Sequence, residues 1–465
     1  VSEPLTAPIP ITTKPVGAAD VRGNAMAGGS ALLLPGEHFA AALCFLAAGS
    51  VGLIWVAPEL ANGLYLSPHV VAVTHCFTLG WLSTTIFGAL YQLLPVVLRV
   101  PIRSTWWGHA SFWSYAPGVA LFAGGLAAGS LPIRHVGVAL VAFGIVSLVI
   151  NVALSLRAAP RRGVVWAAIA VALTFLVSTV GIGLTLLRSL DTGFLAGERV
   201  RVLALHFHVA MIGWLLIMVV GISYRLLPMF LLAHLDTTKL TRNAIASLAA
   251  GVVALAAGLL PQTTALNGRL ANVLAWAGIA CIEAGLLFYL EQARRVYKAR
   301  MRPKLDAGLR HVAMALVFMS VSAVLGPVVF YEGNAHSRLG VAYVTMALLG
   351  GLVLLAVGQF YKIVPFLVWI SRFRNDLGRR KVPSVGDLYS ARVAHCGFLA
   401  LSLAIVLLVT GEALGALLIV RAGALSFATG VGLFVSQMLR MAFVPGRDPT
   451  TEQAVSRIQN VGATR

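Results

Sequence analysis

The chain has 465 residues, 59% of them hydrophobic and only 11% charged, with a mean hydropathy of +0.88. A soluble domain is about 45–50% apolar and about 25% charged, so the composition excludes a soluble fold, and it excludes a disordered chain as well. The formal charge of +19, from 35 Lys and Arg against 16 Asp and Glu, sits in short loops between apolar runs, which reads as membrane topology and not as nucleic-acid binding.

Residues 1–28 are rich in Pro, Thr and Gly and read as an irregular arm with no cleavable leader pattern. Twelve apolar segments follow, near 31–57, 69–98, 110–129, 134–156, 164–187, 201–232, 243–260, 269–290, 309–331, 339–370, 394–411 and 414–438. Each can cross a hydrocarbon core of about 30 Å as a helix rising about 1.5 Å per residue. The expected fold is therefore an all-α integral membrane protein. It divides into an N-terminal arm (1–30), a twelve-helix membrane domain (31–440) and a C-terminal tail (441–465).

The loops alternate in charge. One set carries Arg99 and Arg103, then Arg157, Arg161 and Arg162, then Lys239 and Arg242, then six basic residues from Arg294 to Lys304, then five from Arg372 to Lys381. The opposite set is nearly neutral, with Glu59, Arg134, a mixed Asp191–Glu198–Arg199 loop, Arg269, Glu332 with Arg338, and Glu412. Positive charge marks the cytoplasmic side, so both termini are expected in the cytoplasm of a bacterial inner-membrane protein. Cys44, Cys76, Cys281 and Cys396 all lie in apolar runs without a CxxC spacing and read as small core residues.

Three segments repeat. The second reads HCFTLGWLSTTIFGALYQLLP from His75, the sixth HVAMIGWLLIMVVGISYRLLP from His208, and the tenth TMALLGGLVLLAVGQFYKIVP from Thr345. All three share Gly at +5, Gly at +13, Tyr at +16 and Pro at +20, and the copies start 133 and 137 residues apart. Three pseudo-symmetric repeats of four helices follow from that spacing. The glycines are explained by close helix contact; the aligned histidines are not.

A histidine inside a membrane helix marks either a structural hydrogen bond or a functional site, and neutral imidazole is an axial ligand of haem iron. His75 and His208 share one repeat position and depth, which points to a bis-histidine pair for one haem. His206 precedes His208 by two residues, about 200° around the helix, and so faces a second space. His69, His135 and His336 are placed near the same membrane surface, whereas His38, His109, His234, His311 and His395 fall toward the basic side. Glu283 is the one acidic residue read as deep in an apolar run, either handling protons or paired with a base. Arg225 and Lys362 follow the repeat tyrosines and read as snorkelling cations. Arg199, Arg201 and Arg338 are the arginines nearest to any haem carboxylates. Trp81 and Trp214 lie below the histidines, against either a macrocycle or a neighbouring helix.

The twelve helices, the threefold repeat of four helices and the stretch HFHVAMIGW together resemble the catalytic subunit of the haem-copper oxidase superfamily, which includes cytochrome c oxidases and nitric oxide reductases. The resemblance implies three arcs of helices, haem b (two groups), and a His-x-His serving two haems, with His206 as the high-spin ligand and His208 with His75 as the low-spin pair. The sequence departs from that pattern. Its His-x-His is on the sixth segment instead of the tenth, Thr345 takes the tenth-segment place, the seventh segment has no histidine, and no His-His pair occurs, so copper is not expected. The function implied is electron transfer between a quinol or periplasmic cytochrome and a partner redox subunit. Two alternatives stay open: a diverged nitric oxide reductase or terminal oxidase, and a transporter without haem.

Overall fold

The computed structural model describes residues 18–260, 268–301, 304–333, 337–379 and 381–444, with side chains from residue 33 onward. Every regular element among them is helical. The long helices are α1 (Ala18–Trp55), α2 (Pro68–Leu98), α3 (Thr105–Ala127), α4 (Leu131–Arg157), α5 (Val164–Thr192), α6 (Arg199–Leu231), α7 (Thr238–Gly258), α8 (Gly268–Lys298), α9 (Ala307–Glu332), α10 (Ser337–Asp376), α11 (Ala391–Leu414) and α12 (Leu417–Ala442). All twelve apolar segments are thus helices. Eleven of them are long and apolar enough to cross a membrane. The exception is α3, whose Trp106, His109, Ser111, Ser114 and Tyr115 dilute its apolar character. Helix α1 begins at Ala18, so residues 18–28 are helical where composition suggested an irregular arm. Residues 1–17 and most of the tail lie outside the described residues.

The helices pack by small residues and by sequence neighbourhood. Helices α3–α4, α7–α8 and α11–α12 form the three most intimate pairs. Their backbones approach so closely that a Cβ on Gly137 would stand 2.3 Å from the Phe122 nitrogen, and one on Gly278 2.4 Å from the Leu255 nitrogen. Lipid gives no hydrophobic drive between helices, so such seams supply the van der Waals contact that holds a hairpin together. Helices α1, α5 and α9 lie respectively on α2, α6 and α10, and α1 closes against α12. The inner helices are α2, α6 and α10, whose windows are 61%, 61% and 78% buried, against 33–44% for the other eight spans.

The three inner helices repeat in backbone as well as in sequence. Each has a π-helical stretch, Cys76–Ser83, Val209–Leu216 and Met346–Val353, starting one residue after the aligned position held by His75, His208 and Thr345. In α2 the Leu79 carbonyl of this stretch accepts the hydroxyls of Tyr115 and Thr84, at 2.9 and 3.0 Å, which satisfies a group that a loosened turn leaves poorly bonded. Each +5 glycine receives a phenylalanine from the helix before it. A Cβ on Gly80 would come 2.5 Å from Phe45, on Gly213 2.6 Å from Phe175, and on Gly350 3.0 Å from Phe318. The +13 glycines do the same for the residue seven places earlier on those helices, His38, Ala168 and His311. The shared glycines are therefore contact points, as close packing requires.

Candidate functional site

A cavity of about 750 Å³ opens in the half of the bundle that holds the aligned histidines, and His75, His206 and His208 all line it. Its lining falls on both flanks of α6, called below the first and second compartments. The first lies between α2 and α6, walled by α3, α4 and α5. The second lies between α6 and α10, walled by α7, α8 and α9.

His75 faces the first compartment. Its ring meets Phe122 of α3 edge-on at 5.1 Å, and its Nδ1 donates to the Val71 carbonyl at 2.8 Å. That bond leaves the Nε2 lone pair for a ligand, the usual way a second hydrogen bond fixes the tautomer of a metal-binding imidazole. His206 faces the same compartment from the other side. Its Cε1 lies 3.1 Å from where a Cβ would stand on Gly183 of α5, and it is close enough to His75 for the two imidazoles to interact electrostatically. The Thr179 carbonyl is beside it but outside hydrogen-bond geometry, so its buried Nδ1 has no partner among the described residues. The absence of a side chain at Gly183 leaves room for this ring.

His208 turns the opposite way, into the second compartment. Its Nδ1 donates to the Ala204 carbonyl at 2.7 Å, the same i−4 bond that His75 makes. Its ring stacks with Tyr343 of α10 at 6.2 Å and 25°, with Tyr343 Oη 3.4 Å from His208 Nε2. Glu283 of α8 lines this compartment too. The third aligned residue, Thr345, also touches the cavity, but its Oγ1 donates to Glu412 Oε1 of α11 at 2.9 Å.

These directions favour a pairing other than the one expected from the sequence. His75 and His208 do occupy equivalent positions, and that equivalence separates them. His75 packs on α3 and His208 on α10, so the two rings have different neighbours. Each aligned residue points to the third helix of its own repeat or the next inner helix: His75 to α3, His208 to α10, Thr345 to α11. His206, two residues before His208 on α6, is turned to the opposite flank and lines the cavity with His75.

Other assignments also shift. Glu412, read as part of a loop, is completely buried in α11, and its Oε2 has no partner among the described residues, so Glu283 is not alone at depth. Arg134, also read as a loop residue, is buried and paired with Asp191, which His135 Nε2 meets at 2.8 Å. His69 pairs with Glu59 at 3.2 Å and His109 with Glu37 at 2.8 Å. His38 and His311 are buried, each bonded to a carbonyl four residues earlier at 2.7 Å, and they pack on the repeat tyrosines Tyr91 and Tyr361 at 5.6 and 5.5 Å. His395 accepts from Arg310 at 3.2 Å. Lys362 is paired with Asp306, and Arg225 lies 5.4 Å over the Tyr224 ring. Trp81 packs on Phe360 and Phe434, away from the cavity, whereas Trp214 lines the cavity and donates from Nε1 to Ser83 Oγ at 3.0 Å. Arg199 and Arg201 line the cavity; Arg199 donates to the Ser189 carbonyl at 3.1 Å and Arg201 pairs with Glu198 at 3.2 Å. Arg338 lies instead against Gly415. His336 falls outside the described residues, and among those described no group of three or more His, Cys, Asp or Glu could hold a metal ion.

The architecture has a counterpart among solved structures. The chain shares its fold with a haem-copper terminal oxidase. That protein, a dimer solved by cryo-EM, superposes with a TM-score of 0.57 at 12% identity, over 89% of this chain and 85% of its own. No family model matches the sequence, and no curated protein does. The likeness therefore lies in the arrangement of helices, and the chemistry has to be argued from this chain's own side chains.

Proposed function

We propose that the protein is a haem-b-containing redox protein of the bacterial inner membrane, with both termini cytoplasmic, that passes electrons between a quinol or periplasmic cytochrome and a partner redox protein. One observation carries this reading: His75 of α2 and His206 of α6, on two inner helices, line one largely apolar cavity. The donor chemistry fits a haem. The Val71 carbonyl holds the His75 proton on Nδ1 and so leaves Nε2 free to ligate, and the His206 Nδ1 is an orphaned buried nitrogen, a state that polar atoms in an apolar interior rarely keep. The whole cavity is in the size range of cofactor sites. Arg199 and Arg201 at its rim would meet the two carboxylates of the macrocycle.

A bis-histidine haem supplies one-electron transfer at a saturated iron. The chain's own residues orient it and keep it dry. Phe122 flanks the His75 ring, and Trp214, fixed by Ser83, closes the floor. One such group per chain is proposed, because His208 faces a phenol and not a second imidazole. The haem-copper fold supports the reading by analogy only.

The test is a reduced-minus-oxidised visible spectrum with pyridine haemochrome quantitation. The wild-type protein is expected to hold about one haem b per chain. His75→Ala and His206→Ala should each lose the sharp low-spin band, and His208→Ala should keep it. A colourless protein would favour transport instead. Loss of the band in His208→Ala with retention in His206→Ala would restore the pairing suggested by the repeat. A stoichiometric second metal with rapid reduction of oxygen or nitric oxide would favour the diverged oxidase or reductase.

A further inference from the structure

Two of the three repeats carry a cation after the shared tyrosine, and only one of these cations is neutralised. Lys362 of α10 is paired with Asp306. Arg225, at the same place in α6, has no carboxylate partner among the described residues and meets only the face of the Tyr224 ring, 5.4 Å away. The acidic residue nearest to it in sequence, Asp236, accepts instead from the amide and hydroxyl of Thr238. Arg225 is not a loop residue. It stands six residues before the end of α6 at Leu231, nearly two turns inside the helix. A cation on the wall of a membrane helix calls for an anion or for water.

Arg225 lies in a shallow groove between α2, α5 and α6, at the basic end of the bundle. The rest of the lining is apolar: it runs from Leu90 to Leu98 on α2, over Val165 and Ile169 on α5, to Ile222 on α6. The enclosed part holds only about 10 Å³, room for one water, so a larger occupant lies along the groove and not inside it. Two more arginines flank it. Arg99 directly follows Leu98, Arg162 precedes Val165 by three residues, and both are exposed. Arg162 is held 5.3 Å over the Trp166 ring, whose Nε1 donates to the Leu156 carbonyl at 3.0 Å. The α2–α3 turn is tied to α4 by Arg103 N with Ser155 Oγ at 2.9 Å and Ser104 N with Asn151 Oδ1 at 3.1 Å, which adds Arg103 and Arg157 to the same corner. The sequence has no Asp or Glu between Glu59 and Asp191. Those two are paired with His69 and Arg134 at the opposite end, and Glu37 on the basic side is paired with His109.

We infer that this corner binds an anionic phospholipid, with its phosphate among Arg225, Arg99 and Arg162 and one acyl chain along the apolar groove. The planar fork of a guanidinium matches two phosphate oxygens, and three such forks without a carboxylate between them leave a positive field for the headgroup to neutralise. A basic pocket between membrane helices at one surface is the general pattern for such headgroups. The apolar lining commits the site to a lipid, because a free phosphate has nothing to lay along it. Topology alone asks only for cations in the loops, and it explains neither the place of Arg225 nor the groove beside it. The lipid bridges α5 and two inner helices, α2 and α6. This site does not depend on the electron-transfer reading.

The test is native mass spectrometry of the delipidated full-length protein, titrated with dioleoyl phosphatidylglycerol or dioleoyl phosphatidylcholine. The wild type is expected to take up one phosphatidylglycerol at least about tenfold more tightly than phosphatidylcholine. Arg225→Gln alone should weaken phosphatidylglycerol binding about fivefold, and the triple variant Arg99→Gln, Arg162→Gln, Arg225→Gln about a hundredfold, with phosphatidylcholine unchanged. A control triple, Arg294→Gln, Arg295→Gln and Lys298→Gln, removes the same formal charge from the same side and should bind as the wild type does. Val97→Trp fills the groove without changing charge and should weaken phosphatidylglycerol as well. Glycerol phosphate, the headgroup chemistry without a chain, should not displace the lipid. Equal affinity of the wild type for the two lipids, equal losses in the two triples, unchanged binding in Val97→Trp, or displacement by glycerol phosphate at the lipid's own concentration would each overturn the proposal.

Discussion

Glu412 and Thr345 make the sharpest test at the scale of single residues. Thr345→Val removes the only hydrogen bond that a fully buried carboxyl group makes among the described residues and should cost about 1–3 kcal/mol, the usual penalty for stranding a buried polar group, seen as a lower Tm. Removing both partners with Thr345→Val and Glu412→Leu together should recover most of that loss; equal or greater loss in the double variant would show that the pair does not act as a unit. On the basic side of the bundle, Asp387 accepts from both the backbone and the hydroxyl of Ser384 at 2.9 and 2.8 Å, and these bonds hold its carboxyl below the usual carboxylate range. A depressed carboxyl favours the folded form above the unfolded pKa of about 3.9 and loses that contribution as pH falls through the lower folded value. The turn at Val385–Leu388 should therefore keep its amide protection at neutral pH and fray in acid, and Asp387→Asn should exchange faster at neutral pH with little further change on acidification. The sequence could name these side chains but not their surroundings. Glu412 was missed because the apolar run ends at Gly411, whereas α11 continues to Leu414 and carries the carboxylate inside. Tyr343 was missed because it is not one of the repeat tyrosines. The neighbours of His75 and His208 were not legible, because a repeat alignment gives equal depth without giving direction.

Whole elements were far more legible. Twelve apolar runs became twelve helices because a span needs only length and hydropathy, and both are written in composition. The π-helical stretches left no such trace, since they depend on where neighbouring helices press. The glycines at +5 show what that pressure demands. Gly213→Ala would put a methyl 2.6 Å from Phe175 and should destabilise the protein by about 1–3 kcal/mol through overpacking. Gly351→Ala is the control one residue past the equivalent glycine in α10. Its Cβ would meet nothing nearer than Met319 at 3.7 Å, and alanine favours the helix by up to about 1 kcal/mol, so its Tm should be unchanged or raised. Thermal unfolding of the two variants side by side checks both statements, and equal destabilisation would mean that the phenylalanine contact is not what excludes a side chain.

For the whole molecule, orientation is the open prediction that matters most, because it decides from which side electrons and protons arrive. The dense charge of residues 291–308 and 371–393 should hold that end in the cytoplasm. In a background with the four native cysteines replaced, Asn62→Cys should react with an impermeant maleimide from the periplasmic side, and Ser384→Cys only after the membrane is opened; the reverse pattern would invert the bundle and place the cavity on the inner side. The π-helical stretches bear on this long-range organisation. A π turn holds one residue more than an α turn, and one residue is worth about 100° of rotation. In each inner helix that extra residue stands between the aligned position at one end and the tyrosine at the other. Deleting one residue from Val209–Leu216 would restore a regular helix and leave Tyr224 at its present angle to His208, whereas winding the present sequence as a regular α-helix would carry Tyr224 about 100° round. The stretch thus works as a phase adjuster: the two ends of the bundle can each keep their own angular setting around the common axis, and a substitution that alters one end need not turn the other.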